Sequence, residues 1–132
     1  MVDVGAKPQE RRRATARAFV RTRADTLAAL RELPKGDALT TAQIAGIMAA
    51  KRTSDLIPLC HPLPLSHVEV AVETREEGVE IVASAETTAQ TGVEMEALTA
   101  AAVAALTVYD MAKAVDDSLV VEEVRLLEKT KG

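Results

Sequence analysis

Two ionisable residues of the C-terminal third, Asp110 and Lys113, have a spacing that suits acid–base chemistry. Residues three apart on a helix lie on the same face, so their side chains can pair. On an exposed helix such a pair is usually a surface salt bridge. In a pocket, the same carboxylate and amine shift each other's pKa and can divide the roles of proton acceptor and proton donor. The spacing alone leaves both interpretations open.

The only cysteine and one of the two histidines lie in a proline-rich segment, DLIPLCHPLPLSH, at residues 55–67. A residue that precedes proline is restricted to extended geometry, which makes this segment stiff. Stiffness suits a packing corner as well as a ligand site, since a site needs a fixed backbone beneath its side chains. His61 is therefore either a general acid or phosphate ligand, or a histidine that caps a buried corner.

Cys60 is predicted to be a buried, inert thiol rather than a nucleophile. Adjacent residues of an extended segment point to opposite sides, so His61 is badly placed to act as its base. Cys60, His61 and His67 also lack the spacing that is typical of zinc ligands, and we expect no metal site among them.

Glu94 and Glu96 lie at the start of the longest helical pattern, which runs over residues 92 to about 115. Acidic residues at a helix start are favoured by the helix dipole, so end stabilisation explains them without any ligand. Glu96 and Asp110 would lie roughly 21 Å apart along the helix axis. A nucleotide-sized ligand could contact both only in a site that collects them from different subunits.

Charge is distributed unevenly along the chain. Residues 1–31 have a net charge of +5 and the remainder has −9, which together give the overall −4. The basic segment suits nucleic acid, a phosphorylated small ligand or the acidic face of a neighbouring subunit. Nucleic acid usually also requires stacking aromatic residues, and Phe19 and Tyr109 are the only two in the chain.

The length of 132 residues suits one domain, residues 1–132, with a core of Ala, Val, Leu, Ile and Met. Small side chains bury little area each, which favours oligomerisation. A single cysteine excludes an intramolecular disulfide, and without a signal-peptide pattern we expect a cytoplasmic protein. The longest apolar stretch, residues 97–109, is too short to span a bilayer.

The sequence pattern predicts seven elements in the order β, α, α, β, β, α, β. Alternation with a period of two favours a strand over residues 14–22, and a short helix over residues 23–33 has three leucines on one face. A capping box, Thr40-Thr41-Ala42-Gln43, predicts that a second helix begins at Thr40. Its apolar stripe contains Ile44, Ile47 and Met48.

The second half of the chain predicts a hairpin, a long helix and a final strand. Residues 67–73 and 79–85 alternate on either side of a turn at Glu77-Gly78, and residues 118–127 are rich in valine. If the two early helices dock as one layer, the order becomes β-α-β-β-α-β. That order predicts a ferredoxin-like α+β sandwich, with an antiparallel sheet and helices packed on one face.

Two motifs, KRTSDLIPLCHPL at residues 51–63 and TGVEMEALTA at residues 91–100, closely resemble the MoaC family of molybdenum cofactor biosynthesis. The resemblance extends over nearly the whole chain. It implies a lyase that converts 3′,8-cyclo-7,8-dihydro-GTP to cyclic pyranopterin monophosphate and releases diphosphate. That reaction needs proton transfers and a displacement at phosphorus in which charge on the departing diphosphate is stabilised.

The resemblance also implies roles for individual residues. Asp110 and Lys113 match the catalytic pair of the family. The remaining matches are substrate-binding positions: Leu59, Cys60, His61, Met95, Glu96, Glu94, Lys35, Lys51 and Arg12. The basic members of this set suit a triphosphate, since cations beside phosphoryl oxygens offset negative charge.

The resemblance further implies a homo-hexamer, a trimer of dimers, with the active site at the dimer interface. It implies no cofactor, although Mg²⁺ could accompany the diphosphate, and the partner is a nucleotide-derived small molecule rather than nucleic acid or a membrane. Two other classes of function compete with the enzyme. One is an oligomeric ligand-binding module of the same fold, and the other is an RNA-binding protein that uses the basic segment.

Overall fold

A computed structural model describes residues 1–132 of the chain. Alternating apolar residues give three of the four long strands, the fourth is rich in valine and leucine, and alanine-rich segments give the two long helices. The elements are, in chain order, β1 (Glu10–Arg21), α1 (Ala24–Ala29), α2 (Ala38–Lys51), α3 (Thr53–Leu56), β2 (Leu65–Arg75), β3 (Gly78–Ala89), α4 (Glu94–Ala112) and β4 (Val120–Lys131).

The four strands form one antiparallel sheet in the order β2-β3-β1-β4. The β2–β3 hairpin closes at the pair Arg75 and Gly78, which confirms the predicted hairpin. Helix α4 packs across β1, β3 and β4, and α2 packs on β2 and α4. The predicted α+β class, an antiparallel sheet with helices packed on it, is confirmed.

The core between sheet and helices consists largely of alanine and valine. Ala14, Ala16 and Ala18 of β1 are completely buried, as are Ala101 and Ala104 of α4. Short side chains let the layers approach closely. Where α2 crosses α4, a Cβ on Gly46 would lie 3.1 Å from the carbonyl oxygen of Ala100, so any larger residue there would require the two helices to move apart by a few tenths of an ångström.

The start of α2 differs from the prediction. The cap is Asp37, whose carboxylate accepts hydrogen bonds from the backbone N–H groups of Leu39 and Thr40, and the helix begins at Ala38. The predicted capping box at Thr40 is therefore wrong. An aspartate already satisfies the first free N–H groups two residues earlier, which leaves Thr40 inside the first turn.

Two of the three residues of the predicted apolar stripe of α2 face outward, whereas the third, Ile47, is partly buried against the core. Ile44 and Met48 are 54% and 46% exposed, whereas Ala42, Gly46 and Ala50 face the core. Small residues on the inner face allow the close crossing with α4, so the larger side chains remain on the outside. The first helix is also shorter than predicted, because α1 ends at Ala29 and a turn then buries Leu30 and Leu33.

Helix α4 is long and apolar enough, by length and composition alone, to cross a membrane. Half of its most apolar window is buried inside the fold, however, and it forms the main helical contact of the sheet. These are the features of the core helix of a soluble protein.

Candidate functional site

The first turn of α4 carries a buried acid. Glu96 is only 3% exposed, and its Oε1 atom is buried without a hydrogen-bond partner. Its other oxygen, Oε2, lies 4.0 Å from the Cys60 Sγ atom. Burial raises the pKa of Glu96, and the charge of Glu94 raises it further. End stabilisation alone does not explain this carboxyl, since a group that served the helix dipole would remain in water.

A cavity of about 460 Å³ opens beside this turn and is called the His61 cavity here. The proline-rich segment forms one wall, residues 91–95 at the start of α4 form a second, and the N-terminal segment forms a third. Five of the residues predicted to bind substrate come together in it. The lining residues are Val2, Val4, Lys7, Ile57, Leu59, Cys60, His61, Leu63, Thr91, Gly92, Glu94 and Met95.

Cys60 and His61 both line this cavity, and Cys60 is only partly buried, so its predicted full burial is wrong. The backbone turns at this point, with the Cys60 N–H donating to the Ile57 carbonyl oxygen, and the alternation of an extended strand does not apply. Burial raises the pKa of Cys60, and the charges of Glu96 and Glu94 act in the same direction. Cys60 therefore remains a thiol at neutral pH, as expected of a poor nucleophile.

A second cavity of about 360 Å³, called the basic cavity here, adjoins the first. Lys7, Thr91, Gly92 and Glu94 line both. Five basic residues line it, and none of their side chains lies within 4.0 Å of a carboxylate oxygen, although their neighbour Arg11 does. These five are Lys7, Arg12, Arg13, Lys129 and Lys131. Arg12 and Arg13 are adjacent on β1 and so point to opposite faces of the sheet, and the Arg13 guanidinium donates to Ser84 Oγ at 3.3 Å.

Two polar atoms at the basic cavity are buried and lack any partner: Arg12 Nε and Glu94 Oε2. A buried donor without an acceptor costs free energy of about 1–3 kcal/mol unless a ligand satisfies it. An anion with several oxygens would satisfy Arg12 and offset the surplus of positive charge. The cavity therefore fits a polyphosphate.

Sequence reasoning identified Arg12 but missed Lys7, Arg13, Lys129 and Lys131. The signal for the last two was present, because residues two apart on a strand share a face. Lys131 pairs with Arg12 across β4 and β1, which brings the basic C-terminal end beside the basic N-terminal segment. The sequence alone does not predict that β4 pairs with β1, so it does not place Lys129 and Lys131 near Arg12.

The opposite end of α4 carries the predicted Asp110–Lys113 pair. Lys113 Nζ lies 3.0 Å from Asp110 Oδ1, and Lys35 Nζ lies 2.7 Å from Asp110 Oδ2. The hydrogen bond from Lys35 lowers the pKa of Asp110, and that from Lys113 lowers it further. All three side chains are about half exposed. A carboxylate between two ammonium groups stays ionised, so in this cluster Asp110 can accept a proton from a ligand that covers it and a lysine can donate one.

Lys51 lies apart from both groups. It lines a shallow depression of about 470 Å³ on α2 and β2, together with His67, and only Leu63 connects this depression to the His61 cavity. The predicted site residues therefore form two clusters at the two ends of α4, with Lys51 to one side. No three His, Cys, Asp or Glu side chains lie together as potential metal ligands.

Comparison with known proteins finds relatives that match the whole chain. The MoaC family model matches residues 1–132. The chain is 58% identical to the cyclic pyranopterin monophosphate synthase of Thermomicrobium roseum, with 100% of this chain and 82% of that protein covered. It is also 58% identical to the synthase of Corynebacterium efficiens and 51% identical to that of Peptoclostridium acidaminophilum, with 86% and 85% of those proteins covered.

Proposed function

The chain belongs to the MoaC family, and from this premise we propose that it is a cyclic pyranopterin monophosphate synthase. It converts 3′,8-cyclo-7,8-dihydro-GTP to cyclic pyranopterin monophosphate and releases diphosphate, a step of molybdenum cofactor biosynthesis. The observation that carries the proposal most directly is the pair of adjoining cavities at the start of α4. The His61 cavity is lined by both apolar and polar residues, and the basic cavity is lined by five basic residues.

The two cavities match the two parts of such a substrate. The triphosphate would occupy the basic cavity, where Arg12 Nε lacks a partner and four further basic residues line the same space. The fused ring system would lie in the His61 cavity against Leu59 and Met95, with His61 and Glu94 available to its polar edge. Cations around the phosphates also offset the charge that develops on the leaving diphosphate.

Asp110 and Lys113 carry the proton transfers in this proposal, with Lys35 as a third member of the cluster. Asp110 is held as a carboxylate by two ammonium groups, so it can accept a proton while a lysine donates one. Ring opening and pterin closure need both kinds of transfer. Lys51 would contact the substrate from the side of the His61 cavity.

The two clusters act on one substrate only if two copies of the chain supply them. Glu96 and Asp110 are separated by roughly 21 Å along α4, so a nucleotide bound in the two cavities at the start of the helix cannot also reach Asp110 of the same chain. We therefore place the active site at a dimer interface within a homo-hexamer, a trimer of dimers. Exposed apolar side chains on α2 and α4, among them Ile44, Met48 and Leu106, support such contacts.

The finer features of the proposal follow from the same premise. The strand order β2-β3-β1-β4 supports a ferredoxin-like arrangement, with α1–α3 in the position of its first helix. We propose a cytoplasmic enzyme that needs no resident cofactor. Any Mg²⁺ would arrive with the substrate's phosphates. Neither nucleic acid nor a membrane is a partner.

The test is turnover by the purified protein. It should release diphosphate from 3′,8-cyclo-7,8-dihydro-GTP and form the cyclic phosphate of the pterin, which mass spectrometry identifies. A folded protein that binds the compound without releasing diphosphate would instead be a ligand-binding module. A protein that binds RNA with steep salt dependence and ignores the nucleotide would support the RNA-binding alternative.

A further inference from the structure

Asp116 is a buried carboxylate that the reaction scheme does not use. Its side chain is 0% exposed and receives four hydrogen bonds. Oδ2 accepts from the Arg23 N–H at 3.1 Å and from Thr26 Oγ1 at 2.8 Å. Oδ1 accepts from the Ser118 N–H at 2.8 Å and from Ser118 Oγ at 2.6 Å.

The protonation state of Asp116 follows from these contacts. Burial by itself raises the pKa of this carboxyl, but the hydrogen bonds from Ser118, Arg23 and Thr26 more than offset it and hold the pKa far below its usual range. Each of the two oxygens accepts one backbone N–H. An asparagine would have to turn its NH₂ group toward one of these N–H donors, so only an ionised carboxylate satisfies all partners.

Asp116 connects the two chain segments that carry the catalytic lysines. On one side, the Asp116 N–H donates to the Ala112 carbonyl oxygen at the end of α4, in the turn that begins with Lys113. On the other side, its carboxylate holds the start of α1 through Arg23 and Thr26. Helix α1 leads directly into the buried Leu30 and Leu33, and the turn after Leu33 presents Lys35.

The lysines themselves have little to hold them. Lys35 and Lys113 are half exposed, and each meets Asp110 through a single ion pair. Exposed ion pairs of this kind contribute little to fixing a geometry. The positions of their Cα atoms must therefore come from the backbone beneath them, and Asp116 is the buried group that joins the two backbone segments.

We propose that Asp116 is a positioning residue for the Lys35–Asp110–Lys113 cluster. It sets the distance between the end of α4 and the turn that carries Lys35, and it touches neither substrate nor reacting atoms. This inference rests on the proposed function for its kinetic consequence, whereas its structural part can be measured without turnover. A displacement of about 1 Å in a catalytic group can lower the rate about 100-fold.

The experiment uses a matched pair at Thr26, which is 2% exposed. Thr26→Val removes the hydroxyl donor to Asp116 at nearly constant volume, and Thr26→Ser keeps it. Asp116→Asn is the direct variant. Asp117→Asn is the control, because Asp117 also pairs with Arg23, at 3.2 Å, but through a side chain that is 96% exposed. We measure kcat and KM separately on the full-length protein, well below its unfolding temperature. In parallel, carboxyl ¹³C NMR follows the titration of Asp110 in each variant.

We expect Thr26→Val and Asp116→Asn to lower kcat by about 10- to 100-fold with KM within about twofold, while Thr26→Ser and Asp117→Asn resemble wild type. Asp110 should titrate at higher pH in the first two, because displaced lysines lower its pKa less. A folded Thr26→Val with wild-type kcat and unchanged titration of Asp110 would overturn the inference, even if Asp116→Asn fails to fold. If the wild-type protein itself releases no diphosphate, the proposed function fails, and the Asp110 titration still decides whether Asp116 positions the cluster.

Discussion

The two ends of helix α4 carry different kinds of site. At its start, Glu96 is buried, Arg12 Nε and Glu94 Oε2 lack partners, and two adjoining cavities are already formed. At its end, Asp110 is half exposed, and both of its oxygens are paired with lysines. The start of α4 has open cavities and buried polar atoms without hydrogen-bond partners. At the end of α4, the charged groups are paired with one another and are half exposed.

This difference suggests that the start of α4 binds the substrate and that the end of α4 carries out the proton transfers. Unsatisfied buried groups cost free energy that a ligand recovers, so we propose that affinity for the substrate arises at the start of α4. A charged cluster open to water binds little by itself, but it becomes effective when a surface closes over it and lowers the local dielectric constant. A second copy of the chain would supply that surface if the start of its α4 packed against the end of α4 in this chain.

The largest effect is expected from a substitution of Asp110 at the end of α4. Asp110→Asn keeps the size of the side chain but removes the proton acceptor, and we expect kcat to fall by about 10²- to 10⁴-fold. Binding of the substrate should change little, because the two cavities lie at the other end of the helix. Diphosphate release gives kcat, and calorimetry gives the affinity. Wild-type turnover by a folded Asp110→Asn protein would remove Asp110 from the catalytic role.

Mixed oligomers test whether the two ends come from different copies. One chain carries Asp110→Asn, and the other carries Arg12→Ala with His61→Ala, so that each alone has one defective end. In a symmetric dimer of one chain of each kind, one site is wild type and the other is doubly defective, and random mixing should restore about a quarter of wild-type activity. Activity no higher than the average of the two parents would show that each chain builds its own site.

The basic cavity predicts an intermediate effect. Arg12→Ala should raise KM about tenfold or more, because it removes a charge-assisted hydrogen bond to a phosphate oxygen. Arg11→Ala is the matched control, since the adjacent Arg11 side chain is 78% exposed, faces Glu86 and does not line the cavity. The difference between the two variants should shrink as the salt concentration rises. Equal KM values for both variants would contradict a phosphate site at Arg12.

The smallest effect concerns the contribution of Glu96, at the start of α4, to the stability of the protein. Because the pKa of Glu96 is raised in the folded state, the stability that its protonated form provides is present at acidic pH and declines as pH rises through the folded pKa. Glu96→Gln removes the buried charge, and we expect it to raise Tm by about 3 to 5 °C at pH 8, roughly 1 kcal/mol. At pH 4 the two proteins should melt together. A variant that melts lower than wild type at pH 8 would indicate that ionised Glu96 has an unrecognised partner.

Local pattern was enough to predict much of the fold. Alternation predicted β1 and the β2–β3 hairpin, and the dense alanine and leucine content of residues 94–112 predicted α4. These predictions succeed because periodicity reports directly which side chains of an element are buried. Pattern failed at the start of α2, where Asp37 and Thr40 both offered a cap, and at Ile44 and Met48, whose burial depends on what covers the helix.

The candidate site divides in the same way. Spacing indicated the Asp110–Lys113 pair, because both residues lie on one helix, and the pair forms as expected. Lys35 joins that pair from a separate turn, and no local signal predicts the contact. The burial of Glu96 was likewise not predictable, since an acid at a helix start has the same sequence signature whether it is exposed or enclosed.

The sequence by itself determined the strands, the long helices, the i and i+3 pair and the family motifs, all of which depend on neighbours a few residues apart. Only the tertiary structure decided which distant residues meet: the five cations of the basic cavity, Glu96 behind Cys60, and Asp116 between α1 and the end of α4. The physical reason is that local geometry follows from backbone sterics and hydrogen bonding, whereas charge pairing and burial depend on the pairing of strands and the packing of layers from both halves of the chain.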